Sequence, residues 1–222
     1  MPAMSSSTAA HQAVAIDGPA ASGKSTVAKR LAAALGLVMV NSGAMYRAVT
    51  WQILQDGVDP TDAAAVIQAL TEMEIVCGVE ESLSTIAIND RLLSSELRAA
   101  EVNDHVSKVA SIPEIRECLV AMQRAYLEDN DVVMEGRDIG SVVFPDTPFK
   151  LYIDASEEVR AARRSRDGEA DAVAARDAQD SQRKASPLKI SDGAIVIDSS
   201  TLTIEGTVDA AREALTQLGW QD

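Results

Sequence analysis

Aromatic residues are scarce, at 3% of the 222 positions, too few for the stacking platforms that single-stranded nucleic-acid binders present. Basic residues are outnumbered: 20 Lys and Arg against 34 Asp and Glu leave a formal charge of −14, the wrong sign for a nucleic-acid coat or a polybasic membrane binder. An anionic small ligand stays open, because a few arginines converging in a cleft reverse the field locally. The two cysteines, Cys77 and Cys118, have neither CxxC nor Cys–His spacing and read as buried thiols rather than metal ligands or a disulfide. No apolar run approaches the ~18 residues of a membrane span. The opening MPAMSSSTAAHQ is small and polar, without the basic flank and apolar stretch of a signal peptide. Residues 1–12 are expected to form a disordered tail, and the chain to be cytoplasmic.

What remains is ordinary globular composition, 46% hydrophobic and 24% charged, at a length suited to one α/β domain with small inserted lobes. Short apolar runs at 14–16, 37–40, 132–134, 149–153 and 194–197 read as strands buried on both faces. Helical periodicity fills the intervals. Val27, Leu31, Ala34 and Leu35 form a stripe stopped by Gly36, and Ile204, Val208, Ala211, Leu215 and Leu218 form another closed by Gly219. A helix is expected from Pro113 to about Leu127, since proline is tolerated in a first turn. Two segments break the alternation. Residues 74–93 alternate and are punctuated by turns, as in an antiparallel hairpin. Residues 165–187, rich in Ala, Asp and Arg, suit either a solvated linker or a lid.

The sharpest signal is GPAASGKST, which matches GxxxxGK[ST] between the apolar run VAID and an amphipathic helix. Its residues, Gly18, Pro19, Ala20, Ala21, Ser22, Gly23, Lys24, Ser25 and Thr26, are the expected ATP-binding loop. Glycines let successive N–H groups aim at phosphate oxygens, the helix N-terminus adds a favourable dipole, Lys24 supplies a point charge, and the Ser25 hydroxyl suits Mg²⁺. Motors, GTPases and kinases share this loop. No NKxD motif for guanine is present, and the length leaves little room for motor machinery.

A kinase needs a second cleft for its acceptor. In NSGAMYR, Ser42 is placed to cap a helix with Arg47 near the same end, which also fits a plain N-cap and a surface arginine. In EGRD, after the run VVM, Glu135 is placed to hold Mg²⁺ through water, and Arg137 and Asp138 to bind an acceptor; a turn with an internal ion pair is the alternative. Arg176, Asp180 and Arg183 share one helical face, and Arg160, Arg163 and Arg164 share another, a spacing that also suits exposed salt bridges.

In order along the chain, AIDGPAASGKST, NSGAMYR, VSKVASIPEIR, VMEGRDIGSVVFPD, RDAQDSQRKASPL and IDSSTLTIE resemble the bacterial cytidylate (CMP) kinases, nucleoside monophosphate kinases of the P-loop class. The resemblance implies a three-layer α/β P-loop NTPase fold: a five-stranded parallel sheet, an inserted NMP-binding lobe and a short lid. Residues 13–40, 101–159 and 186–222 would form the core, 41–100 the CMP-binding lobe with its antiparallel insert, and 160–185 the lid. The implied reaction transfers the γ-phosphoryl of ATP to CMP or dCMP, with Mg²⁺ as cofactor, in a monomer binding neither nucleic acid nor membrane.

Carried onto this sequence, the resemblance implies that Arg47 and Arg137 bind the CMP phosphate and that Ser107 and Arg116 read cytosine. Ser42 would also lie in the acceptor site. Asp138, Asp180 and Arg176 would hold the ribose, while Lys24, Arg137, Arg176 and Arg183 would be catalytic. Adenine would lie near the 198–201 loop. Two features depart from the family: the acid usually preceding SGAMYR is Asn41, and the lid is short, with eleven residues between Arg164 and Arg176. Another small-acceptor kinase (UMP/CMP or adenylate) and a nucleotide-binding regulatory ATPase are the competing readings.

Overall fold

The computed structural model describes residues 11–166 and 188–221. Arg176, Asp180 and Arg183 of the expected lid, and most of the expected N-terminal tail, lie outside the described residues. The five expected strands form as β1 (Ala13–Asp17), β2 (Val38–Asn41), β6 (Val132–Gly136), β7 (Lys150–Asp154) and β8 (Ile195–Asp198). They lie in the order β2-β6-β1-β7-β8, every pair parallel.

The expected hairpin is present as β3 (Ile75–Glu80), β4 (Leu83–Ile88) and the two-residue β5 (Arg91–Leu92), antiparallel throughout. It is continuous with the core sheet. β4 pairs with β2 at Met39–Leu83, supported by the Met39 N–H on the Ser82 carbonyl at 2.8 Å, so the sheet runs to eight strands.

Helices cover both faces. All five residues of β1 are buried, and its side chains divide by parity, as strand geometry requires. Ala13 and Ala15 face one core with Val40, Val132 and Met134, under α2 (Ser42–Gln55), α3 (Ala63–Glu72), α4 (Ala100–Val109) and α5 (Pro113–Asp129). Val14 and Ile16 face the other, with Val133, Leu151 and Ile153, under α1 (Lys24–Leu35) and α7 (Ile204–Gln217). The predicted stops hold: Gly36 adopts a left-handed φ of 68° and donates to the Ala32 carbonyl, and Gly219, at φ 92°, follows α7. A short α6 (Glu157–Arg166) follows β7.

Connections from β1 and β6 set the position of the site. β1 crosses through α1 to β2 on one side, while β6 crosses to β7 on the other, which opens a crevice beyond their carboxyl ends. The loop of residues 18–23 and the segment 135–138 both emerge there.

Candidate active site

The phosphate loop begins where β1 ends. A Cβ on Gly18 would lie 2.1 Å from the Ile153 carbonyl oxygen, so only glycine passes this point. Gly23, at φ 89°, precedes α1, and the loop needs that left-handed residue to turn into the helix. Arginines of α6 hold the loop's carbonyls from outside. Arg160 donates to Ala20 O at 3.4 Å, and Arg163 donates to Ala21 O at 3.3 Å and Ser22 O at 3.0 Å. Because N–H and C=O oppose each other across a trans peptide, the amides of Ala21, Ser22 and Gly23 face away from these arginines.

Arg163 also reaches Ser199, donating to its Oγ at 3.1 Å and its carbonyl at 2.9 Å, and the Ser199 hydroxyl donates to Ser22 O at 2.9 Å. One guanidinium thus joins the phosphate loop to the loop after β8. The sequence offered only an arginine cluster at this point; its target 36 residues further on is a matter of tertiary structure.

Lys24 is buried, its Nζ donating to Pro19 O at 3.1 Å and standing 3.9 Å from Glu135 Oε2. The Ser25 hydroxyl donates to Glu135 Oε1 at 2.8 Å. A lysine, a hydroxyl and a carboxylate from two separate segments therefore share one point. The oxygen pair suits Mg²⁺, a hard cation that takes few protein ligands and completes its shell with water and phosphate.

Next along the chain, Arg137 Nη1 donates to the Gly18 carbonyl at 3.1 Å, which brings the GRD segment against the phosphate loop. Asp138 is buried and ion-paired with Arg116, itself buried on α5. Arg116 also donates to Ala110 O at 3.3 Å and lies over the Tyr46 ring, 5.4 Å from its centroid. Ser107 is buried one turn before Ala110. Thus the structure brings Arg116, Asp138 and Tyr46 together. Arg47 points along α2 toward the neighbouring segment, donating to Leu97 O at 3.0 Å and Asn103 Oδ1 at 2.6 Å.

One local expectation is corrected. Ser42 is not the helix cap. Asn41 has the extended backbone of a cap (φ −97°, ψ 95°), and its Oδ1 accepts the Ala44 N–H at 3.0 Å. Ser42 is already the first helical residue, and its hydroxyl instead donates to the Glu135 carbonyl at 2.8 Å. Asparagine caps as well as aspartate, so the departure at position 41 leaves the helix start intact.

Sequence reasoning missed Asp17. Its carboxylate accepts the N–H of Ile139 at 2.7 Å and of Gly140 at 2.8 Å. Burial, with a lesser contribution from Asp138, pushes its pKa up to about 6; the two amides and Lys24 pull the other way. The only signal in the sequence was an acid directly before the phosphate loop, where an apolar strand would otherwise continue.

A parallel core sheet whose first strand leads into a GxxxxGK[ST] loop at the crevice is the arrangement of the P-loop kinases. The cytidylate kinase family model matches residues 14–217. A cytidylate kinase of Streptomyces avermitilis is 40% identical over 205 residues, covering 88% of this chain and 89% of that protein. One from Clostridium botulinum is 41% identical over 207 residues, covering 88% and 94%. The chain belongs to the cytidylate kinase family. Among solved structures, an unliganded sugar kinase from Janibacter superposes with a TM-score of 0.51 at 16% identity, covering 93% of this chain and 95% of that one, which shows the shared fold.

Proposed function

We propose that the crevice between the phosphate loop and the Arg116–Asp138 pair is where this chain transfers the γ-phosphoryl of ATP to CMP, forming ADP and CDP. Family membership carries the reaction. The observation that supports the placement is the convergence of Lys24, Ser25 and Glu135 on one side of β6 and of Arg116 and Asp138 on the other. In this reading residues 18–26 bind the ATP phosphates, Arg47 and Arg137 the CMP phosphate, Ser107 and Arg116 the cytosine, and Asp138 the ribose. Ser42 fixes α2 to β6 beneath the acceptor. Residues 41–100 act as the acceptor lobe, and 160–185 as a lid bringing Arg176, Asp180 and Arg183.

A nucleoside monophosphate, with a second pKa near ~6, is mostly dianionic at neutral pH and is itself the nucleophile. No general base is required. The protein's task is to align the acceptor oxygen with the γ-phosphorus, neutralise charge on the migrating group and exclude water. Lys24 and the arginines supply the positive charge. Ser25, with Glu135 acting through water, would hold Mg²⁺, which would supply further charge neutralisation at the ATP phosphates when bound. dCMP is the expected second acceptor, since both share the cytosine edge and the phosphate.

A panel of CMP, dCMP, UMP and AMP in a coupled ADP assay tests the proposal. ADP formation should require an acceptor and be fastest with CMP. ATP turnover without acceptor, or AMP as the best acceptor, would overturn it.

A further inference from the structure

The segment joining β6 to β7 opens as a π-helical turn, Ile139–Val143, directly after Arg137 and Asp138. Such a turn starts with unsatisfied N–H groups and ends with unsatisfied carbonyls. Here both ends are tied by side chains from other elements. At its start, Asp17 of β1 accepts the amides of Ile139 and Gly140. At its end, Arg124 of α5 donates through Nε to Val143 O at 2.9 Å and through Nη2 to Val142 O at 2.7 Å. Close packing fixes the same segment: a Cβ on Gly136 would lie 2.5 Å from Ser42 Oγ, and one on Gly140 would lie 2.7 Å from Ser191 Oγ.

Asp17 is also the residue immediately before Gly18, whose carbonyl accepts from Arg137. One carboxylate is therefore bonded to the donor loop through the chain and to the acceptor platform through two charge-assisted hydrogen bonds. In-line transfer depends on a fixed separation between the two phosphate sites, and a small displacement is costly. We infer that Asp17 is a positioning residue that sets the acceptor groups Arg137 and Asp138 relative to the phosphate loop, without touching either nucleotide. This inference rests on the assignment of Arg137 and Asp138 to the CMP site.

Asp17→Asn tests it. Asparagine keeps the volume and one acceptor but turns an NH₂ toward the second amide. The full chain carrying D17N is assayed with CMP varied at saturating ATP, and with ATP varied at saturating CMP. The expected result is a KM for CMP raised roughly tenfold, the equivalent of one hydrogen bond, with the KM for ATP little changed. An unchanged KM for CMP in the folded variant, or equal rises for both substrates, overturns the inference. If D17N does not fold, wild-type amide exchange decides. Exchange at Ile139 and Gly140 that slows on adding CMP alone supports the role, and exchange that CMP leaves unaltered overturns it. Failure of the wild type to phosphorylate CMP would sink the functional assignment instead, which keeps the two tests separate.

Discussion

Ser25 and Glu135, 110 positions apart, meet at 2.8 Å where the hydroxyl in the first turn of α1 donates to a carboxylate at the end of β6. Register places them: β1 and β6 run parallel with Ile16 beside Glu135, so the acid stands at the level where the phosphate loop departs.

The proposed Mg²⁺ role of this pair predicts a shared metal dependence. Ser25→Ala and Glu135→Gln are each expected to raise the Mg²⁺ concentration giving half-maximal rate by roughly tenfold, in line with the loss of one supporting group at a metal site. In a double-mutant cycle the two effects should be non-additive, because in the proposed reading both residues would hold one ion. A Mg²⁺ titration at fixed ATP and CMP checks this. Strict additivity would assign the two residues to separate tasks.

Lys24→Ala removes a buried positive charge whose Nζ donates to the loop at Pro19 O. Turnover should fall by roughly 10³, the scale of losing an electrostatic stabiliser of the transition state. The fold should persist, since α1 retains Val27, Leu31 and its other core residues. Circular dichroism alongside the coupled assay separates the two effects.

Arg116→Ala has two consequences. In the proposed reading it takes a guanidinium from the acceptor site, and it removes one side of the buried Arg116–Asp138 ion pair. Breaking such a pair costs about 3–5 kcal/mol, so a lower Tm is expected together with a large drop in kcat/KM for CMP. Arg116→Lys restores a positive charge against Asp138 but not the planar fork. Its Tm should recover most of the loss while the kinetic defect persists. Recovery of both would reduce Arg116 to a structural ion pair.

Asp17 gives the stability a pH signature of unusual sign. Its folded-state pKa of about 6 exceeds the ordinary 3.8, so the native state binds the proton more tightly than the unfolded chain does. Its contribution is most favourable below the unfolded value and declines as pH rises through the folded one, by about 2–3 kcal/mol in total. Asp138 and Lys24, the charged groups that act on it, shift the midpoint without changing the sign. Urea denaturation of wild type and D17N at about pH 4 and about pH 7 should show the wild type losing ground at the higher pH. A difference independent of pH would mean that Asp17 titrates as an exposed carboxylate.

Much of this was legible in the residues. Gly36 and Gly219 marked helix ends because a left-handed stop is a local requirement. The GxxxxGK[ST] loop stood out because a loop of that kind presents consecutive backbone amides, which consecutive residues encode. The five core strands stood out because a doubly covered sheet demands unbroken apolar runs. The hairpin at 74–93 was visible too, but its attachment to β2 was not. That contact is a single Met39–Leu83 pairing, and neither residue differs in kind from its neighbours. The Ser42 cap was misread by one position because Asn41 and Ser42 are both good caps, and only the helix register chooses between them.

The sequence by itself determined the fold class and the family, both of which reside in local patterns or in residue strings specific enough to stand alone. Tertiary structure alone decided that Asp17 serves the π turn, that Arg163 spans to Ser199, and that Arg116 is committed to Asp138. The physical reason is that a charged side chain carries no mark of its partner. Its meaning is set by whichever group the packing of sheet and helices brings within about 3 Å of it, the reach of a hydrogen bond.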